Sequence, residues 1–134
     1  AISTDVIVGF PGESEELFQK TIDTCRKIGF SKLHVFPYSE RRGTASSRMD
    51  GKIDEHEKKE RSRRLIEVSH ELEMNYMKKF INKEVDVLIE EFKDGYSYGH
   101  TGNYLHVKIN KELPHNEIVK VTVKDIEYPY VIGV

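Results

Sequence analysis

Cysteine is almost missing from this chain. Its 134 residues hold one, Cys25, so no internal disulfide framework is possible, and a structural zinc or an iron–sulfur cluster, each ordinarily held by several thiolates, cannot be built from it. Long apolar runs are lacking as well. A third of the residues are charged, 37% are hydrophobic, and no uninterrupted stretch approaches the roughly 18 residues of a membrane span. The opening Ala1 to Phe10 includes Asp5 and stops at Gly9, unlike a secretory leader, so the chain is expected to be cytoplasmic. His34, His56, His70, His100, His106 and His115 contain no i, i+4 pair, which leaves a meeting of His100 with His106 across a hairpin as the sole histidine metal candidate, and no metal site is expected. Both common phosphate-loop fingerprints are absent, G-x-G-x-x-G and G-x-x-x-x-G-K-[ST].

What is present divides in two. Val6-Ile7-Val8 is a continuous apolar run, as in a strand buried on both faces of a parallel sheet, and Gly9-Phe10-Pro11-Gly12 breaks it. Ser14 is a plausible N-cap. Glu15 and Glu16 suit the positive end of a helix whose apolar stripe runs Leu17, Phe18, Ile22, Cys25 and Ile28 up to Gly29, which makes Cys25 a packing residue. Phe30 to Phe36 reads as a second strand ended by Pro37, completing a βαβ unit with parallel strands. Two parallel strands need further sheet, and the chain starts at Ala1, one step before a strand, without an initiator Met. It is therefore expected to be a piece of something longer, with exposed strand edges at residues 4 to 36 through which it would self-associate.

A loop from Tyr38 to about Lys52 leads to a capping box, Asp54 with Glu57, and a helix running to about Lys79. Its first half is charged, with i, i+4 pairs such as Glu60 with Arg64; Leu65, Leu72, Tyr76 and Phe80 form a narrower stripe in the second half, so the helix could bridge two structures. From Ile81 the period shortens to two. Val85–Ile89, Tyr96–His100, Tyr104–Ile109, Ile118–Lys124 and Tyr128–Val134, with a turn at Lys93-Asp94-Gly95, are five short strands that suggest a small closed barrel. The expected domains are 1–80 and 81–134.

Residues 1–80 hold 15 basic and 14 acidic side chains, and 81–134 hold 6 and 9, a balance that speaks against strong nonspecific nucleic-acid binding by the barrel. Basic charge is local: nine Lys and Arg against five acids between Arg41 and Arg64, which can grip phosphates or simply solvate a helix face. The Gly9–Glu13 turn sits where α/β folds place ligands. Glu13, Glu15 and Glu16 would repel a phosphate there, so it takes a cationic or hydroxyl-bearing ligand or is a turn that only needs its glycines. Tyr96, Tyr98, His100, Thr101, Asn103 and Tyr104 can stack on and read RNA bases, or can be ordinary strand and turn residues.

Thr4-Asp5-Val6-Ile7-Val8-Gly9-Phe10-Pro11-Gly12-Glu13, then Phe36-Pro37-Tyr38-Ser39-Glu40-Arg41-Arg42-Gly43-Thr44-Ala45, an Arg-rich helix, and Gly99-His100-Thr101-Gly102-Asn103-Tyr104 resemble the radical S-adenosylmethionine methylthiotransferases over nearly the whole chain. The resemblance implies the last part of a partial TIM-like β/α barrel followed by an OB-like RNA-binding barrel, the TRAM domain. Leu33-His34-Val35-Phe36-Pro37-Tyr38-Ser39 is most similar to the branch that converts threonylcarbamoyladenosine in tRNA; the isopentenyladenosine branch comes next, and a third modifies a ribosomal protein. Such enzymes use S-adenosylmethionine and two [4Fe–4S] clusters. The cluster cysteines are absent here, so this stretch alone is expected to be inactive and to carry no catalytic residue. Residue by residue, Ile7, Gly9, Phe36, Tyr38 and Ser39 match the cofactor wall, with Asp5 standing where the family usually has Gly. Tyr98, His100, Thr101, Asn103 and Tyr104 match the segment facing the tRNA anticodon stem-loop, and Arg41, Arg61, Arg63 and Arg64 are phosphate candidates. A noncatalytic RNA-binding module and a ribosomal-protein-modifying enzyme are the alternatives.

Overall fold

The computed structural model describes residues 1–134 and divides them into two compact units, Ile2–Glu73 and Met74–Val134. The first unit contains β1 (Ser3–Val8), α1 (Glu15–Ile28), β2 (Lys32–Pro37), a 3-10 turn at Ser46–Arg48 and most of α2 (Glu55–Lys78). The strands are parallel, with Val6 opposite Val35 and Ile7 opposite Phe36. The Ser14 hydroxyl caps α1 by accepting the Leu17 N–H at 3.1 Å. At the other end Gly29 takes φ 74°, and its N–H reaches the Cys25 carbonyl at 3.1 Å.

Phe18, Ile22 and Cys25 are the buried face of α1, packed with Val8, Leu33, Leu65, Val68 and Leu72. Leu17 and Ile28 are exposed instead of completing the expected stripe, since Leu17 lies about 100° round the helix from Phe18. The strands also depart from expectation. Val6, Val8, Leu33 and Val35 turn toward the helices, while Asp5, Ile7, His34 and Phe36 lie on an open face, so the sheet is covered on one side only. Ser69 of α2 fastens the outer part of β2: its hydroxyl accepts the Leu33 N–H at 3.0 Å and donates to the Leu33 carbonyl at 3.1 Å.

The second unit begins inside α2, not near residue 80, because Tyr76, Met77 and Phe80 pack on the core of the barrel. This closed barrel runs in the order β3 (Glu84–Lys93), β4 (Tyr96–His100), β5 (His106–Ile109), β7 (Tyr130–Gly133) and β6 (Ile118–Glu127), with β6 returning to β3. Only β5 and β7 pair in parallel. Alternation turns Val87, Ile89, Val107, Ile109, Val121, Val123 and Val131 inward. Asp94 and Gly95 both take positive φ, 52° and 84°, as a tight hairpin requires.

Gly99 has no alternative in this barrel. A Cβ there would stand 2.0 Å from the Leu88 carbonyl oxygen on the neighbouring strand, beside the bulge between Ile89 and Glu91. Gly99→Ala is expected to destabilise the barrel by about 2 kcal/mol or more, whereas Gly102→Ala, with open space around it, should stay within about 0.5 kcal/mol; urea denaturation of the two variants checks this.

Candidate nucleic-acid interface and strand-end turn

The turn after β1 is held by one carboxylate. Glu13 Oε1 accepts the Gly9 N–H at 2.9 Å and a guanidinium N–H of Arg61 at 2.8 Å, while the same Arg61 nitrogen donates to the Glu13 carbonyl at 2.7 Å. Glu57 accepts from Arg61 Nε at 3.1 Å. Both side chains of the central pair are enclosed, Arg61 6% and Glu13 12% exposed. Burial works against the Arg61 charge, but the bonds from Glu13 and Glu57 outweigh it and raise its pKa. Gly9 is buried at φ 77°, and a Cβ on it would meet Lys58 Cγ at 2.2 Å. The two glycines of the turn thus serve backbone geometry and close packing: Gly12, at φ 88°, donates its N–H to the Gly51 carbonyl at 2.8 Å.

Of the cofactor-wall candidates, Ile7 and Phe36 come together, paired in register and exposed at 57% and 50% on the open sheet face. Gly9 is not on that face, being covered by Lys58. Tyr38 faces Phe10 edge-on at 5.4 Å and donates its hydroxyl to Ser46 Oγ at 2.9 Å, and Ser39 is exposed in the loop. The phosphate candidates separate in the same way. Arg63 is bonded to Glu60 and Glu67, and Arg64 to Glu15 at 2.7 Å with its guanidinium 4.8 Å over the Phe18 ring. Glu60 therefore pairs with Arg63 and not with Arg64, because Arg64 points across to α1. Asp54 accepts the His56 N–H at 3.1 Å, and Glu57, the other expected member of a capping box, pairs with Arg61. Arg41 is exposed.

On the barrel, alternation sends Tyr96, Tyr98 and His100 of β4 outward, with His106 and Lys108 of β5 and Tyr130 of β7 beside them. The rings touch. His100 and His106 stack at 4.2 Å, Tyr130 meets His106 at 4.6 Å and Tyr98 at 5.2 Å, and Lys108 Nζ lies 4.2 Å over Tyr96 while bonding Glu127 at 3.1 Å. Glu90 bonds His100 Nδ1. The two imidazoles do meet across the strands, but nearly parallel rings carry their in-plane nitrogens alongside each other instead of aiming them at one ion, and no group of three or more potential metal ligands exists.

Thr101 has a different role from its neighbours: it is buried, accepts the Leu105 N–H at 3.0 Å, bonds Asn103, and its carbonyl accepts the Tyr104 N–H at 3.1 Å. Tyr76 donates to the Asn103 carbonyl at 3.0 Å, tying the loop to the helix end within this unit. The result is Tyr104 at φ 66° and 81% exposed, a large ring held in solvent by a braced loop.

An α/β unit with a one-sided parallel sheet, joined to a small closed barrel with a tyrosine and histidine face, is the class of protein these features define. No family model matches the chain, but curated relatives do. It is 42% identical over 136 residues to the threonylcarbamoyladenosine tRNA methylthiotransferase MtaB of Bacillus subtilis, covering 97% of this chain and 30% of that protein. It is 46% identical over 90 residues to the MtaB of Thermotoga maritima, 67% of this chain and 21% of that one. With the tRNA-2-methylthio-N(6)-dimethylallyladenosine synthase of Lachnoclostridium phytofermentans it shares 36% over 138 residues, 99% of this chain and 30% of the relative. The chain belongs to the radical S-adenosylmethionine tRNA methylthiotransferases, matches their carboxy-terminal portion, and spans about 30% of the length of the relatives it matches most fully.

His106, Lys108, Tyr130 and Glu90 escaped the sequence reading as surface partners of Tyr98 and His100. Alternation of His106 and Lys108 with Val107 and Ile109 could have placed the first two, whereas Tyr130 joins through the parallel β5–β7 pairing, which has no local signature.

Two measurements test this geometry. Arg61→Gln is expected to lower stability by about 3 kcal/mol, because it leaves the enclosed Glu13 carboxylate without its cation, whereas Glu13→Gln, which leaves Arg61 its bond to Glu57, should cost less; chemical denaturation reads both. Burial first, then the neighbouring His100, hold the His106 imidazole below its ordinary value, although Glu90 and Glu91 pull it upward. A histidine depressed in the folded state contributes stability above the unfolded value of about 6.5 and loses it as pH falls through the folded value. Melting temperatures between pH 7 and pH 5 should therefore fall less steeply for His106→Gln than for the parent chain.

Proposed function

We propose that this chain supplies the RNA-holding barrel and part of the cofactor wall of a tRNA methylthiotransferase, acting on N6-threonylcarbamoyladenosine near the anticodon. The observation that carries the reading is the continuous outer face of Tyr98, His100, His106 and Tyr130 on three adjacent strands, with Tyr104 held out beside it in sequence. Small barrels of this kind, here a TRAM domain, bind looped RNA by stacking unpaired bases on aromatic rings, each worth about 1–3 kcal/mol, while polar side chains read base edges. Asn103 and His100 have the groups for such reading. Thr101 supports the loop that presents them.

Toward S-adenosylmethionine, the open sheet face fits in part: Ile7 and Phe36 offer an apolar surface for an adenine ring, and Gly9 and Tyr38 act behind it by shaping the turn and loop. When bound, that cofactor supplies the radical and methyl chemistry of the family. The two [4Fe–4S] clusters do not fit residues of this chain, whose one thiol, Cys25, is buried in packing with its pKa raised by that burial. Cluster ligands therefore belong to the remaining length that the relatives have, and this stretch by itself is inactive and cytoplasmic in our reading. The part-covered edges at residues 4–36 are where the isolated chain would pair with a second copy; a stable monomer by light scattering at high concentration would contradict that.

Fluorescence anisotropy with an anticodon stem-loop RNA tests the main reading. Tyr98→Ala, Tyr104→Ala and Tyr130→Ala are each expected to weaken binding about tenfold. Unchanged affinity in all three, or loss of ribosomal-protein binding in their place, would sink it.

A further inference from the structure

The chain has seven arginines, and four of them are consumed by carboxylates: Arg26 by Glu71, Arg61 by Glu13 and Glu57, Arg63 by Glu60 and Glu67, Arg64 by Glu15. The other three, Arg41, Arg42 and Arg48, fall within eight residues of one loop, all exposed, with no carboxylate at ion-pairing distance. Nearby acids do not compensate them. Glu40 is taken by Lys52, and Asp50 stands exposed beyond the end of the cluster.

The loop backbone is not slack. Thr44 turns back on Arg41, with its hydroxyl donating to the Arg41 carbonyl at 2.7 Å and its N–H at 3.2 Å; Ser47 Oγ donates to the Thr44 carbonyl at 2.7 Å; the Arg48 N–H reaches the Ala45 carbonyl at 3.1 Å. Tyr38 holds Ser46 from one side, and the Gly51 carbonyl is bonded to the Gly12 N–H at the far end. A backbone ordered in advance lowers the entropic cost of binding, and guanidinium groups match phosphate oxygens in charge and bidentate geometry.

We infer that Arg41, Arg42 and Arg48 form a separate contact for RNA backbone phosphates, carried by the α/β unit and additional to the stacking face of the barrel. This rests on the RNA reading above, and it replaces the α2 arginines as the main source of phosphate contacts. Within the loop itself Met49 is the one large exposed apolar side chain, against three exposed arginines, so a nucleic-acid backbone suits it better than a lipid surface.

The test is the salt dependence of stem-loop RNA binding by the full chain between 50 and 300 mM salt, on the order of the range in which counterion release dominates. The triple variant Arg41→Gln, Arg42→Gln, Arg48→Gln should bind roughly ten- to a hundredfold more weakly at low salt, with the log–log slope reduced by about 2 to 3. Triple replacement by Lys should restore most of the slope. Arg63→Gln, by contrast, should leave the slope unchanged. If the Gln triple keeps the parent slope while Tyr98→Ala still loses affinity, the loop inference is overturned and the barrel reading survives. If the parent chain binds no stem-loop RNA at about 50 mM salt, where phosphate contacts are strongest, both are overturned.

Discussion

Glu13 sits where the demands on the α/β unit converge. Its carboxylate closes the turn after β1 by accepting the Gly9 amide, and it neutralises an arginine that α2 buries against α1 and the strand ends. Without that carboxylate the enclosed guanidinium would keep only its bond to the more exposed Glu57, so the turn and the helix are coupled through Glu13. Gly9 is required for the same reason, because the amide must approach the carboxylate while Lys58 lies against its Cα. The charge pattern has this origin too: Glu13 of the turn, Glu15 of α1 and Glu57, Glu60 and Glu67 of α2 are spent on Arg61, Arg63 and Arg64. What looks like a basic helix face in the sequence has its arginines balanced by carboxylates of the helix itself and of the segment that precedes and opens α1.

The barrel resolves a different constraint. Closing five short strands requires small and branched residues at the inward positions and a glycine where β3 and β4 approach most closely. Outward positions carry no such demand. Three adjacent strands use them for Tyr98, His100, His106 and Tyr130, whose rings pack on one another and so remain ordered while facing solvent. Order with only partial burial is what a stacking surface needs, since little rotamer freedom is left to lose when a base lands on it.

Much of this was readable along the chain. The caps of α1, the five barrel strands and the turn at Asp94-Gly95 arise from local chemistry, because each is decided by residues within a few positions of one another, and the parallel βαβ unit follows from the order strand, helix, strand. The candidate site was legible less evenly. Tyr98, His100 and Tyr104 carry visible aromatic and imidazole groups, but Thr101 looks like their equal in the sequence and proves to be a loop brace. Arg61, Arg63 and Arg64 look like phosphate ligands because helix periodicity does not reveal Glu13 and Glu15, which reach Arg61 and Arg64 from 48 and 49 residues away.

By itself, then, the amino-acid order determined where helices and strands form, which barrel-strand positions alternate inward, and the motif wording that marks the methylthiotransferase family. Tertiary structure decided which charges are free and which rings meet. The bonds from Arg61 to Glu13 and from Arg64 to Glu15 join residues 48 and 49 apart in the chain, and the β5–β7 pairing that brings Tyr130 to His106 joins strands that are not consecutive. Neither quantity has a local period, and for that reason neither could be read before the chain was folded.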